Sequence, residues 1–331
     1  MSKQIIAVVG ATGNQGSSVA KTFLSLPGWH VRALTRDPSS PSAQSLSSLG
    51  AEVVRADLAD RASLEAAFAG CAAIFLNTDF WAPYVAALKS GQEVDVARRT
   101  GYDTEILHAR NAVDAAAGTA GLRRLVYSAL GPMSRASGGK YSHCYHWETK
   151  NDTVDYIESA APGLAARTSY MYPTIYHQNN FLFPKRDAAT GEYILHFPGP
   201  STTRLQVIVA SRSSGAFVRA LVEDEPAGTR LCAYNADVTI DQAVAAWSRV
   251  TGVEARFEQV TYEEMGKISG LIPEVLDGAG FLGEHDFMAG VAGGRVVESG
   301  TMDPPLEAMS YDDVLRLTPV EDLLSFGWPK F

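Results

Sequence analysis

Apolar and polar positions fall into two regimes along this chain. Through residues 1–129, short and nearly continuous apolar runs alternate with segments whose apolar residues recur every three or four positions. Continuous runs are what strands buried on both faces leave in a sequence, and the other spacing is the stripe of a covering helix. IIAVVG (5–10) predicts strand one and SSVAKTFLSL (17–26) helix one. WHVRALT (29–35) predicts strand two, followed by a helix near 44–49. AEVVRAD (51–57) predicts strand three, SLEAAFAG (63–70) a helix and AAIFLNT (72–78) strand four. A long helix over 104–117 and strand five in LRRLVYSA (122–129) complete the series. This rhythm predicts the α/β class, a doubly wound parallel sheet with helices on both faces.

The second half is less regular. Residues 141–159 predict a helix, LAARTSY (164–170) strand six, and 194–197 and 205–209 short strands. ADVTIDQAVAAWSRVTG (236–252) reads as a helix closed by Gly252, ARFEQV (255–260) as a strand and TYEEMGKI (261–268) as a helix. The tail, with Pro304, Pro305 and Pro319, is expected to wrap back over the first domain. The division expected is a nucleotide-binding domain over 1–160 and a smaller α/β lobe for substrate or partner over 161–331, the two interleaved.

Length, 331 residues with 46% hydrophobic and 20% charged, suits one large α/β domain with an appended lobe. No apolar window is long enough for a membrane span, and no secretory leader is visible at the N-terminus. Three scattered cysteines make no disulfide framework, so a cytoplasmic or nuclear setting is expected. The net charge of −9 argues against direct nucleic-acid binding.

The most specific chemical signal is IIAVVGATGNQG (5–16). A strand runs into a turn with Gly10, Gly13 and Gly16 and then into a helix. Such a turn lets backbone approach a pyrophosphate, which the free N–H groups and dipole of the helix start favour. Candidate nucleotide contacts here are Gly10, Thr12, Gly13, Asn14, Gln15 and Gly16. At the end of strand two, where an NAD site usually carries an acid, stand Thr35 and Arg36, then Asp37, Pro38, Ser39 and Ser40. A guanidinium backed by Ser39 and Ser40 suits a 2′-phosphate, which predicts NADP over NAD. Asp57 and Leu58 are placed to flank the adenine, and Asn77, Thr78 and Asp79 end strand four on the ligand side of the sheet.

A second cluster is His146-Trp-Glu-Thr-Lys150, preceded by Ser128 at the end of strand five. Short-chain dehydrogenases carry a Tyr and a Lys four residues apart on one helix face, with a Ser after strand five. Here His146 holds the tyrosine position, and a histidine also transfers protons near neutral pH. The alternative is a helix that binds nucleotide without chemistry. Tyr145 lies about 100° away around the helix, and Tyr141 is a further candidate donor. His143, Cys144 and His146 invite a zinc reading, but no second ligand cluster matches and a helix does not converge all three, so no metal is expected. The aromatic, amide-rich YPTIYHQNNFLF (172–183), with Tyr176 and Asn179, is placed to lie over a nicotinamide.

With GATGNQG, VRALTRDPSS, AEVVRADL, NTDFW and GGKYSHCYHWETKNDTVDYI in order over residues 4–185, the chain resembles the NmrA-like family of atypical short-chain dehydrogenase/reductases. The resemblance implies a Rossmann domain with a smaller C-terminal lobe. It further implies an NAD(P) site in which TRDPSS receives the 2′-phosphate and Lys150 touches the cofactor. The H-[FW]-x-x-K form is that family's own pattern. Its members include redox-state sensors that bind transcription factors and reductases that act on small molecules. Two functions are therefore expected in turn: an NADP(H) sensor working through a protein partner, or an NADPH-dependent reductase of a carbonyl, imine or enone substrate.

Overall fold

The structure is a computed structural model and describes residues 3–302 and 304–328. Its first half follows the predicted alternation: β1 (Gln4–Val8), α1 (Asn14–Leu24), β2 (Trp29–Thr35), α2 (Pro41–Ser48), β3 (Glu52–Arg55), α3 (Arg61–Phe68), β4 (Ala73–Leu76), α4 (Trp81–Lys89), α5 (Val94–Ala117), β5 (Arg124–Ser128), α6 (Met133–Ala136), α7 (Tyr145–Ala160), α8 (Pro162–Ala165) and β6 (Thr168–Pro173). The second half adds β7 (Ile175–Tyr176), β8 (Lys185–Arg186), β9 (Tyr193–Phe197), β10 (Arg204–Ile208), α9 (Ala210–Arg219), β11 (Arg230–Ala233), β12 (Ala236–Thr239), α10 (Ile240–Thr251), β13 (Ala255–Gln259), α11 (Tyr262–Ser269), α12 (Pro273–Glu284), β14 (Val296–Glu298), α13 (Tyr311–Leu315) and α14 (Val320–Ser325).

Eight strands form the main sheet in the order β14-β11-β6-β5-β4-β1-β2-β3, every neighbouring pair parallel. This is the doubly wound Rossmann-like arrangement that the alternation predicts. Its strand order reverses between β1 and β4, and in such sheets the crevice beyond that point is where ligands bind. Two three-stranded sheets, β12-β10-β7 and β13-β9-β8, lie outside it. The strands are buried because their apolar runs face helices on both sides: Ile6, Val8, Phe75 and Val126 belong to one core cluster, and Ala7, Ile74, Leu76 and Leu125 to the other.

Close helix packing fixes α1. A Cβ on Gly215 of α9 would lie 2.0 Å from Thr22 Oγ1, so the two helices meet through a residue with no side chain. Ser18 Oγ donates to the Arg212 carbonyl at 2.8 Å and accepts the Gly215 N–H at 2.9 Å.

Several elements depart from the sequence reading. Residues 236–239 are a strand rather than the start of a helix: they pair antiparallel with β10, and Thr239 then caps α10 with a reciprocal bond to Gln242. The long helix begins at Val94, and the helix expected from 141 begins at Tyr145. β6 lies later than expected, and α4, α9 and α12 were not anticipated. The tail does not simply cover the first domain. β14 joins the main sheet beside β11, Met302 and Leu306 pack against the α1–α9 side, and α13 packs on α10. Among the described residues no helix is long and apolar enough to cross a membrane.

Candidate functional site

A cavity of about 1050 Å³ opens at the strand-order reversal. It is larger than most small-ligand pockets. Its wall gathers Gly10, Thr12, Gly13, Asn14, Gln15, Arg36, Ser40, Asp57, Leu58, Asn77, Thr78, Asp79, Ser128, His146, Lys150, Tyr176 and Asn179. Gly16 and Ser39 are the predicted contacts it leaves out. A Cβ on Gly16 would lie 2.2 Å from the Gly10 carbonyl oxygen, so Gly16 lets helix and turn pack and does not face the cavity. Ser39 is exposed and donates its hydroxyl to Asp37 Oδ1 at 2.5 Å.

The glycine turn has the shape its sequence calls for. Gly10 sits at φ +68°, a conformation other residues rarely adopt, and its carbonyl accepts the Gly13 N–H at 2.9 Å. Gly13 is the N-cap of α1 and supplies no side-chain cap. The amides of the first turn therefore face the cavity mouth with the positive end of the helix dipole behind them, a donor set that fits a pyrophosphate. Tyr176 closes the turn from the other side: its hydroxyl accepts from Gln15 Nε2 at 2.5 Å.

At the far end of β2, Arg36 is exposed and makes no ion pair among the described residues. Asp37 has one carboxylate oxygen engaged by its own loop. Its Oδ1 accepts both the amide and the hydroxyl of Ser39, which hold its carboxyl below the usual range. The exposed Arg55, opposite Thr35 in the β2–β3 register, is a second cation that sequence reasoning did not pick out. Asp57 and Asp79 line the cavity, but each carboxylate has a local duty: Asp57 accepts the Ala59 amide at 2.9 Å, and Asp79 accepts the Trp81 amide at 2.8 Å at the start of α4.

Lys150 is more committed than its position in the motif implies. Its Nζ lies 2.6 Å from the Thr78 carbonyl, 2.9 Å from Thr78 Oγ1, 3.1 Å from Asn77 Oδ1 and 3.1 Å from Glu105 Oε1. Glu105 is fully buried on α5 and also accepts from the hydroxyls of Thr78 and Thr149. Lys150 thus pins the β4 loop to α7 and α5, with its side chain at the cavity wall.

His146 has a partner far away in the chain. Its Nδ1 lies 2.6 Å from Glu274 Oε1, on a carboxylate that is 1% exposed. The same carboxylate accepts the backbone N–H groups of His146, at 2.7 Å, and Tyr145, at 3.0 Å. Glu274 is in the first turn of α12 and so sits between the N-termini of two helices, where the dipoles of both favour its charge. One turn further on, Asp277 accepts the His143 amide at 2.7 Å and the Tyr262 hydroxyl at 2.6 Å. These two acids explain why α7 starts at Tyr145. The His146 ring is flanked by Trp81, with centroids 5.0 Å apart, and by Phe80 at 6.1 Å.

The remaining candidates separate cleanly. Ser128 is buried at the end of β5 on the cavity wall. Tyr141 is buried against Tyr262 and Phe281 and does not reach the cavity, so it is no proton donor there. Tyr145 packs on Tyr102 and under Arg98. His143 turns to Asp277, so the zinc trio does not converge. Cys144, His146 and Glu274 do have ligand atoms within 4.8 Å of one another. Nδ1 and Oε1 stand at hydrogen-bond distance, whereas two ligands on a tetrahedral zinc stand roughly 3.3 Å apart. Burial pushes the Cys144 thiol well above its ordinary range.

Residues 2–289 match the NmrA-like family. The chain is 31% identical over 295 residues to the NmrA-like family domain-containing oxidoreductase hkm9 of Aspergillus hancockii, covering 83% of this chain and 80% of that protein. It is 43% identical over 136 residues to oxidoreductase FrzB of Cladobotryum sp, which covers 41% of this chain and 37% of that one. With FrzB, and with ptmS of Penicillium ochrochloron at 49% of its length, the match spans half of the relative or less. Among solved structures, the negative transcriptional regulator NmrA in complex with NADP superposes with a TM-score of 0.63 at 20% identity, covering all of this chain and 93% of that one. Citrobacter triphenylmethane reductase with NADP(H) gives 0.63 at 16% identity, covering 97% and 98%. The chain belongs to the NmrA-like family.

Proposed function

We propose that this chain binds NADP(H) in the cavity and reduces a small carbonyl, imine or enone, with His146 as the proton donor. The observation that carries the reading is His146 on the cavity wall, one helical turn from Lys150, with its ring held by a buried carboxylate. The glycine turn would hold the pyrophosphate, Arg36 and Arg55 the 2′-phosphate, and Asn77 and Thr78 the region of the nicotinamide ribose. The phosphate preference in this reading rests on an exposed Arg36 that makes no ion pair among the described residues. When bound, the reduced nicotinamide supplies hydride.

The chain's own groups do the rest. Lys150 fixes the β4 loop under the ribose. Phe80, Trp81, Phe181 and Phe287 line the cavity with apolar surface that excludes water from a flat substrate. His146 holds the proton for the substrate heteroatom. The names of hkm9 and FrzB as oxidoreductases support this reading. The NmrA structures keep the second reading open, a nucleotide-state sensor acting through a protein partner in the cytoplasm or nucleus.

The test is NADPH oxidation against a panel of quinones, aldehydes, imines and enones with wild type, His146→Phe and Lys150→Met. Turnover that His146→Phe cuts by roughly 10²–10⁴-fold, at nearly unchanged NADPH affinity, supports the reductase. Tight NADPH binding with no turnover on any member overturns it in favour of the sensor.

A further inference from the structure

We propose that Glu274, contributed by α12 some 128 residues beyond His146, is the positioning residue that fixes the tautomer of His146 and aims its Nε2 for proton delivery to the nitrogen or oxygen of a C=N or C=O substrate. The proposal rests on the reductase reading and concerns this chain's own residues.

An ionised carboxylate only accepts hydrogen bonds. Oε1 already accepts the His146 amide at 2.7 Å and faces Nδ1 at 2.6 Å, so the ring donates from Nδ1. Cys144 Sγ lies 3.4 Å from Nδ1 and 3.9 Å from Nε2, and so long a sulfur contact competes with neither a charge-assisted bond nor a substrate heteroatom. Nε2 is then the nitrogen left for the cavity.

Glu274 cannot turn away. It is 1% exposed, bound by two main-chain amides of α7, and carried on the helix that itself lines the cavity through Glu274, Gly278 and Leu282. Those three lie four residues apart, on one helix face. The wall that meets substrate and the carboxylate that orients the histidine are therefore one rigid element.

His146 begins with protons on both nitrogens. As the carbon of the substrate's double bond takes up hydride, the heteroatom takes the Nε2 proton and the double bond becomes a single bond. His146 keeps its Nδ1 proton, still donated to Glu274, stays in the productive orientation, and takes up one H+ from solvent at Nε2 for each turnover. Glu274 changes no bond.

The experiment combines nitrogen-15 NMR of the histidine rings with kinetics of Glu274→Gln and Glu274→Asp. In the wild-type protein held above the histidine titration range, the His146 ring is expected as the Nδ1–H tautomer. Glu274→Gln is expected to mix the tautomers and to lower kcat by roughly 10²-fold, with NADPH affinity within about threefold. Glu274→Asp, which keeps the charge, is expected to recover part of kcat. An Nε2–H tautomer in the wild type overturns the proposal without any variant. So does a folded Glu274→Gln with unchanged tautomer and kcat. If no substrate turns over at all, the reductase reading fails, while the tautomer spectra still decide whether Glu274 orients His146.

Discussion

Lys150 and Glu105 form a buried ion pair, Nζ to Oε1 3.1 Å, that ties the helix of the H-x-x-x-K motif to α5. Removing one member of such a pair leaves a buried charge without its partner, which costs about 3–5 kcal/mol. Glu105→Met and Lys150→Met are each expected to lose about that much in urea unfolding. The double variant is expected to recover part of the loss. Additive losses would show that the two groups do not act together. The consequence for nucleotide studies is direct: a Lys150 variant that binds NADPH weakly is to be compared with Glu105→Met before the loss is assigned to a ribose contact.

The proposed preference for NADP(H) rests on Arg36. A charge-assisted bond to the 2′-phosphate is worth about 1.5–3 kcal/mol. Arg36→Ala is expected to weaken NADPH by about tenfold or more and to leave NADH nearly unchanged. Adding Arg55→Ala should deepen the NADPH loss alone. Equal losses for both nucleotides in a binding titration would remove Arg36 from the phosphate.

Gly13 and Gly16 are expected to fail in different ways. At Gly13 an added Cβ meets nothing nearer than the Gly10 carbonyl oxygen at 3.4 Å, so Gly13→Val should fold. It should nevertheless lose both nucleotides, because the new methyls occupy the space of the pyrophosphate. Gly16→Ala drives a methyl into the Gly10 backbone and should lower the melting temperature even without ligand. Circular dichroism melts with and without NADPH separate the two. A Gly13→Val protein that binds at wild-type affinity would take this turn out of the site.

Lys185 offers a pH signature. It is buried, bonds the Asn180 carbonyl, and lies near the Phe183 and Trp328 rings, with no acid beside it among the described residues. Burial pushes its ammonium down to about 7. An unfolded lysine keeps its proton to about pH 10.4. Between pH 7 and 10 the unfolded chain therefore binds more protons, and stability from this site rises with pH; below 7 the full penalty is present. Lys185→Met is expected to be more stable than wild type near pH 6. The advantage should shrink by an order of about 2–3 kcal/mol toward pH 9.5, read by urea unfolding at both values. An advantage that does not change with pH would mean that Lys185 stays charged throughout.

What was legible in the sequence was local. The strand, glycine turn and helix of residues 5–24 lie next to one another in the chain, and Arg36 follows directly on the strand that positions it. Lys150 and His146 were legible because four residues make one helical turn. Glu105 and Glu274 were not. An acid inside a helix reads as a solvated face, and only contacts 44 and 128 residues away turn these two inward. Residues 236–239 failed as a helix for a related reason: their extended form depends on pairing with β10, and nothing in A-D-V-T records that partner.

The meeting of α1 with α9 at Ser18 and Gly215 has a consequence for the order in which the protein comes into being. On the ribosome, the helix that carries the glycine turn emerges almost 200 residues before the surface that buttresses it. The carboxylate that holds His146 arrives later still. The glycine turn must therefore wait for the third quarter of the chain and the histidine for the last, and a transcript cut short after β6 would release a sheet with neither a braced turn nor an oriented histidine.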